Sequence, residues 1–103
     1  MKDPAVPAAA LLGARIRRAR LELGLSQESI AGLAAMHVTN FGKIERGLAN
    51  PSLLTIVRIA TALDSDVASL TQDITREHLP AHLRVPSARE YLRERQRRSR
   101  RPD

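Results

Sequence analysis

Between residues 11 and 70 the chain is punctuated so often by helix stop and start signals that only short helices fit. Gly24 followed by Leu25 closes one apolar-periodic segment, and Ser26 is placed to cap the next. Gly47 ends a third segment, Ser52 opens a fourth and Asp66 a fifth. Within the first segment, residues 11–23, Leu12, Ile16, Ala19 and Leu23 recur at helical spacing while Arg15, Arg17 and Arg18 fall elsewhere. A short second helix from Gln27 carries Ile30, Ala31, Leu33 and Ala34. A break at Ala35-Met36-His37 separates it from a third helix over residues 38–46. Leu48-Ala49-Asn50-Pro51 reads as a loop, after which Leu53, Ile56, Ala60 and Leu63 give a fourth helix one apolar face. Val67 and Leu70 belong to the fifth. The pattern predicts an all-α fold, a compact five-helix bundle with connections of a few residues.

With one Phe, one Tyr and no Trp, the core of such a bundle must be aliphatic. The absence of Cys excludes disulfides and any Cys-bearing metal or nucleophile site, which fits a cytoplasmic protein. No apolar run approaches the roughly 18 residues of a spanning helix. Residues 1–10, with Lys2-Asp3-Pro4 and a short apolar stretch, read as a flexible N-terminal tail and not as a signal peptide. After Leu79, Pro80 and Pro86 bracket a linker, and the Arg-rich stretch that follows offers only Tyr91 and Leu92 as sizeable apolar groups. Ser87-x-x-Glu90 has capping-box form. A helix so short and so positive is marginal alone, so residues 80–103 are expected to be disordered or conditionally helical. The expected division is therefore a tail over 1–10, a globular domain over 11–79 and a basic extension over 80–103.

Charge is unevenly placed. Residues 11–58 carry six Arg and one Lys against Glu22, Glu28 and Glu45, a balance of +4. Residues 59–79 carry Arg76 against Asp64, Asp66, Asp73 and Glu77, a balance of −3. Residues 80–103 carry eight Arg against Glu90, Glu94 and Asp103, a balance of +5. Taken alone, this is as compatible with a solvated face as with a polyanionic partner. The third helix adds chemistry. Phe41 and Ile44 must face the core, with Glu45 beside them, while Thr39, Lys43 and Arg46 share the opposite face with Asn40 at its flank. Such a face offers groups that can pair with guanine, adenine or a thymine methyl, on a helix whose width suits the major groove. Gln27, Ala31, Ala35, Phe41 and Ile44 stand at relative positions 1, 5, 9, 15 and 18, the spacing of a helix-turn-helix unit.

The longer run Ser26-Gln27-Glu28…Ile30-Ala31…Ile44-Glu45-Arg46-Gly47…Asn50-Pro51-Ser52-Leu53 resembles the phage-repressor/Cro-like regulators of the xenobiotic-response-element type. The resemblance implies a lambda-repressor-like fold whose second and third helices read double-stranded DNA. It makes Gln27 a phosphate contact and places Val38, Thr39 and Lys43 at base-reading positions. It gives Arg46 and the Asn50 loop the grip on the backbone, and matches Arg20 with Glu45 as a pair fixing the first helix to the third. His37, at the start of the third helix, is a cap or phosphate contact. Departures are Ala35 in place of the usual turn Gly, Ser29 in place of a capping-box Glu, and Val38 in place of a long polar reader. Gly32 and Gly42 interrupt helices, Gly42 either for a close backbone approach or for packing. The implied function is a transcription-regulating repressor-type protein acting as a homodimer on a pseudo-palindromic operator, nucleoid-associated, with Leu54 and Val57 among the candidate subunit contacts. The alternative is an antitoxin or adaptor that binds a protein partner through the Arg-rich tail. No cofactor is expected. His78 and His82 are four apart, but Pro80 breaks the helix that would join them as metal ligands. No arrangement of Ser, Thr and His suggests catalysis, so an enzyme is not expected.

Overall fold

The computed structural model describes residues 6–100, and all regular structure among them is helical. Helix α1 spans Pro7–Glu22, α2 Gln27–Leu33, α3 Val38–Glu45, α4 Leu53–Ala62 and α5 Val67–Thr71. Single 3-10 turns at Arg76–His78 and Ala81–Leu83 lead to α6, Ala88–Ser99. Among these residues no helix is long and apolar enough to cross a membrane.

The caps explain why the helices begin where they do. Ser26, Ser52 and Asp66 each accept the backbone N–H three residues on, at 3.0, 3.2 and 2.7 Å. Gly24 and Gly47 close α1 and α3 in the left-handed region, at φ +70° and +73°. The first helix starts at Pro7, ahead of the expected Leu11, so residues 7–10 of the anticipated tail are helical; residues 1–5 lie outside the described part. Pro is well suited to a first turn, where its missing N–H costs nothing, and three alanines continue it. That early turn has a packing role, because a Cβ on Gly47 would lie 2.7 Å from the Cα of Ala10.

Leu12 and Ile16 of α1, Ile30 and Ala31 of α2 with Ala34 at its C-cap, Phe41 and Ile44 of α3, Ile59 and Leu63 after them, and Leu70 of α5 form one core. Three leucines assigned to apolar faces are instead exposed. Leu23 lies past the end of α1, and Leu53 occupies the first turn of α4, at the rim of the core. Leu33 falls about 100° around α2 from the stripe formed by Ile30, Ala31 and Ala34, and a helix this short buries only one stripe. The closest crossing is between α1 and α3. A Cβ on Gly13 would sit 2.3 Å from the carbonyl oxygen of Ile44 and 2.5 Å from that of Glu45, so only glycine admits the approach. Arg15 adds a tie from α1 to the far side by donating to the carbonyl of Leu70 at 3.1 Å.

The segment after α5 is folded against the body. Leu79, Pro80 and Leu83 line a cavity of about 670 Å³ together with Val6, Ala8 and the Gly47–Asn50 loop. Arg84 donates to the carbonyls of Glu77 and Leu79 at 3.2 and 3.3 Å. The α6 helix carries the anticipated capping box, in which the Ser87 hydroxyl accepts from Glu90 N at 3.1 Å and the Glu90 carboxylate accepts from Ser87 N at 3.5 Å. Glu90 also pairs with Arg76, and Glu94 with Arg97 and Arg98. Ion pairs and a cap thus support a helix that composition alone leaves marginal.

Two substitutions test these geometries. Gly13→Ala is expected to lower stability by about 1–3 kcal/mol through the α1–α3 clash. Ala35→Gly relieves an Ala held at φ +56°. That strain is about 1–2 kcal/mol, offset by about 0.5–1 for the freedom glycine loses, so a net gain of about 1 or less is expected. Urea midpoints at constant m-value are the measurement for both.

Candidate nucleic-acid interface

Helices α2 and α3 are joined by a turn through Ala34, Ala35, Met36 and His37. Ala35 adopts the left-handed conformation that favours glycine. Its strain is tolerated because flanking amides are satisfied: Ala35 N–H bonds Gly32 O at 3.1 Å and Met36 N–H bonds Ala31 O at 3.0 Å. Met36 packs against the core and pins the turn. The two helices therefore hold a fixed angle set by Ile30, Ala31, Phe41 and Ile44, all buried.

On the outer side of α3, Val38, Thr39, Asn40, Lys43 and Arg46 are all exposed, as the wheel predicts. His37 is the N-cap residue but makes no side-chain capping bond, leaving its ring at the same edge. Asn50 is exposed in the loop after α3. Gln27 opens α2 and is half-buried, at the edge where α2 meets α3. The structure thus gathers Gln27, Val38, Thr39, Asn40, Lys43 and Arg46 on the exposed side of the helix pair.

What holds this surface together lies beneath it. The Arg20 guanidinium grips Glu45 in bidentate fashion, Nε to Oε2 at 2.6 Å and Nη2 to Oε1 at 3.0 Å. Its third nitrogen donates to the carbonyl of Leu25 at 3.0 Å, fixing the α1–α2 connection. Gln27 Nε2 donates to Glu45 Oε1 at 2.9 Å. The side chains of Arg20 and Glu45 are only 10% and 2% exposed. Burial pushes the Glu45 carboxyl up, but the hydrogen bonds from Arg20 and Gln27 and the charges of Arg20 and Arg17 pull it down further, leaving it below the ordinary carboxylate value. One carboxylate in this way locks three helices.

Two features of the site escaped the sequence reading. The first is that Gln27, assigned to a phosphate, already spends one amide hydrogen on Glu45, which leaves one amide hydrogen for any other partner. The second is the role of Gly42. A Cβ there would lie 3.1 Å from Arg46 Nη1 and 3.7 Å from Gln27 Oε1. Gly42 is a notch in which the Arg46 guanidinium and the Gln27 amide both rest, so packing of side chains accounts for this glycine. The pair His78 and His82 lies in separate 3-10 turns on either side of Pro80, and His78 Nδ1 accepts the N–H of Thr75 at 3.0 Å.

A family model described as a helix-turn-helix domain matches residues 11–72. The chain belongs to the Cro-like helix-turn-helix regulator family. It is 35% identical over 69 residues to the control protein C.SmaI of Serratia marcescens, covering 67% of this chain and 79% of that protein. It is similar in structure to the restriction-modification controller protein C.AhdI of Aeromonas hydrophila, with a TM-score of 0.59 and 40% identity over 60% of this chain and 94% of that one. A chain of the SinR protein/SinI protein complex matches 87% of this chain and 99% of its own length, with a TM-score of 0.57 and 27% identity. The fold is accordingly that of the lambda-repressor-like DNA-binding domains, with α6 beyond the family match.

The buried pair has a pH signature. Because the folded-state value of Glu45 is depressed, its contribution is present above the ordinary carboxylate pKa and is lost as pH falls through the folded value. Glu45→Gln is expected to cost about 3–5 kcal/mol at neutral pH. The gap to the parent should narrow as pH falls below the ordinary carboxylate value of about 4.3, where the unfolded chain takes up the proton first. It should narrow furthest once the folded carboxyl is protonated as well. Denaturation of both proteins across acid pH measures it.

Proposed function

We propose that this protein is a dimeric operator-binding regulator that lays α3 in the major groove. The observation that carries the reading is the exposed Thr39–Asn40–Lys43 face, held rigid by the Arg20–Glu45–Gln27 network behind it. Lys43 is a reader of guanine O6 and N7, Asn40 of adenine, Thr39 of a thymine methyl or a phosphate. Val38 adds apolar contact alone, so base reading is sparse and DNA shape contributes to specificity. Gln27, His37, Arg46 and Asn50 position the domain on phosphates without reading bases. The named control and controller proteins among its relatives support a regulatory role of the same kind.

A single short reading helix touches few base pairs, which favours two copies on half-sites about one helical turn apart. Helix α4 supplies a surface for that assembly: Leu53 and Leu54 are 65% and 76% exposed, with Val57 beside them. Three adjacent apolar side chains on one helix face suit a self-complementary contact. A second reading, capture of a protein partner by the extension, draws on Tyr91 and Leu92, which are exposed on α6.

Selection of duplexes from a random library, followed by footprinting, tests the main reading. The expected product is one short two-fold site protected on major-groove faces about a turn apart. Lys43→Ala is expected to weaken that site by about 1–3 kcal/mol and to relax preference at one base pair. Gln27→Ala should weaken all sequences alike. Leu54→Glu is expected to convert the dimer to monomer in sedimentation; a dimer that persists places the subunit contact elsewhere.

A further inference from the structure

We propose that α6 is a second nucleic-acid contact, a basic stripe that grips duplex phosphates beyond the site read by α3, whatever their base sequence. The proposal rests on the helix-turn-helix reading above and extends it to a segment outside the family match.

The argument begins with which arginines are already committed. Glu90 pairs with Arg76, and Glu94 with both Arg97 and Arg98. Both carboxylates of α6 are thereby used. Along this helix and its C-cap, Arg89, Arg93, Arg95 and Arg100 form no ion pair among the described residues. Arg95 points to a different side, but the other three are aligned. At 3.6 residues per turn, Arg89, Arg93, Gln96 and Arg100 fall within about 60° of one another and run about 16 Å along the axis. No apolar side chain lies within that stripe, although exposed Leu92 borders it between Arg89 and Gln96, and no residue of α6 is buried. Ion pairing has sorted the helix into a neutralised flank and a cationic one.

A cation-and-amide stripe lacking an apolar anchor is a poor protein interface, because such interfaces draw their energy from buried aromatic and aliphatic groups. It is sufficient for a phosphate backbone, where Arg makes bidentate contacts and counterion release supplies the energy. Placement favours the same occupant. Leu83, just before α6, lines one cavity with Asn50 of the backbone-gripping loop, so the root of the helix adjoins the DNA-contacting edge. The root is also tied down: Arg84 holds the carbonyls of Glu77 and Leu79, and Arg76 holds both the carbonyl of Val85 and the Glu90 carboxylate. An arm so tethered loses less freedom on binding than an unstructured tail of equal charge.

The test compares two full-length variants with equal charge removed, Arg89→Ala/Arg93→Ala in the stripe and Arg97→Ala/Arg98→Ala on the paired flank. Binding to a short duplex of scrambled sequence is followed by fluorescence anisotropy across a salt series, with far-UV circular dichroism confirming the helix. The stripe variant is expected to lower the slope of log K against log salt by about 2, near 0.9 for each phosphate no longer neutralised. The flank variant should change it by less than half as much. Equal changes in the two variants overturn the proposal in favour of general charge. An unchanged slope in the stripe variant also overturns it, and leaves the stripe to an acidic protein surface. Lys43→Ala and the stripe variant, both also measured on the selected two-fold site, separate the two levels of inference. If Lys43→Ala weakens binding and the stripe variant does not, the α3 reading stands without the arm; if neither does, both readings fall.

Discussion

The Glu45 carboxylate is the point on which the rest of the molecule depends. It lies on the inner side of α3, yet its three hydrogen bonds come from α1 and α2. A charge so deeply placed is unfavourable unless fully paired, and no buried side-chain polar atom among the described residues lacks a partner. The pair therefore acts less as a source of stability than as a constraint. Any arrangement of the three helices that moved Arg20 or Gln27 away would strand a buried carboxylate. The angle at which α3 is presented on the surface follows from that constraint.

Glycine placement shows the same logic applied to backbone approach. Gly13 admits the carbonyl end of α3 against α1, and Gly47 admits the first turn of α1 against the loop after α3. Both contacts lie at the C-terminal end of α3, next to the Glu45 network. Gly42 works from the other side, where its missing side chain seats Arg46 and Gln27 on the outer surface. Helix three is thus held from behind by two close backbone contacts and an ion pair, and dressed in front by side chains that lean on it. Rigidity at the back and chemistry at the front are what a reading helix requires.

Much of this was legible in the sequence. Caps at Ser26, Ser52 and Asp66, the Gly24 and Gly47 terminations and the Phe41–Ile44 inner face follow from local rules that the tertiary structure does not override. The Arg20–Glu45 pair came through family likeness, reinforced by the need of an inward Glu for a cation. What stayed hidden depends on relations between distant residues. The close approach at Gly13 involves α3 carbonyls that no local pattern near residue 13 encodes, although a glycine inside an amphipathic helix is itself a packing signal. Leu33 and Leu53 satisfy helical periodicity and still face solvent, because periodicity fixes a stripe but not which stripe a neighbour covers.

The extension shows what pairing adds to composition. A stretch with so much arginine is self-repelling, so disorder or a conditional helix is expected from composition alone. Each of the two glutamates of α6 sits where it does double duty. Glu90 closes the capping box and holds Arg76 of the preceding turn; Glu94 holds Arg97 and Arg98 one turn on. Repulsion is removed where it would unwind the helix, at its start and along one flank, and is left on the flank where Arg89, Arg93 and Arg100 align. A helix built only for solubility has no need of that asymmetry, since scattered arginines would solvate equally well. Three of the four unpaired arginines thus fall along a line, with Arg95 on another side, and a line of cations is the complement of a phosphate backbone.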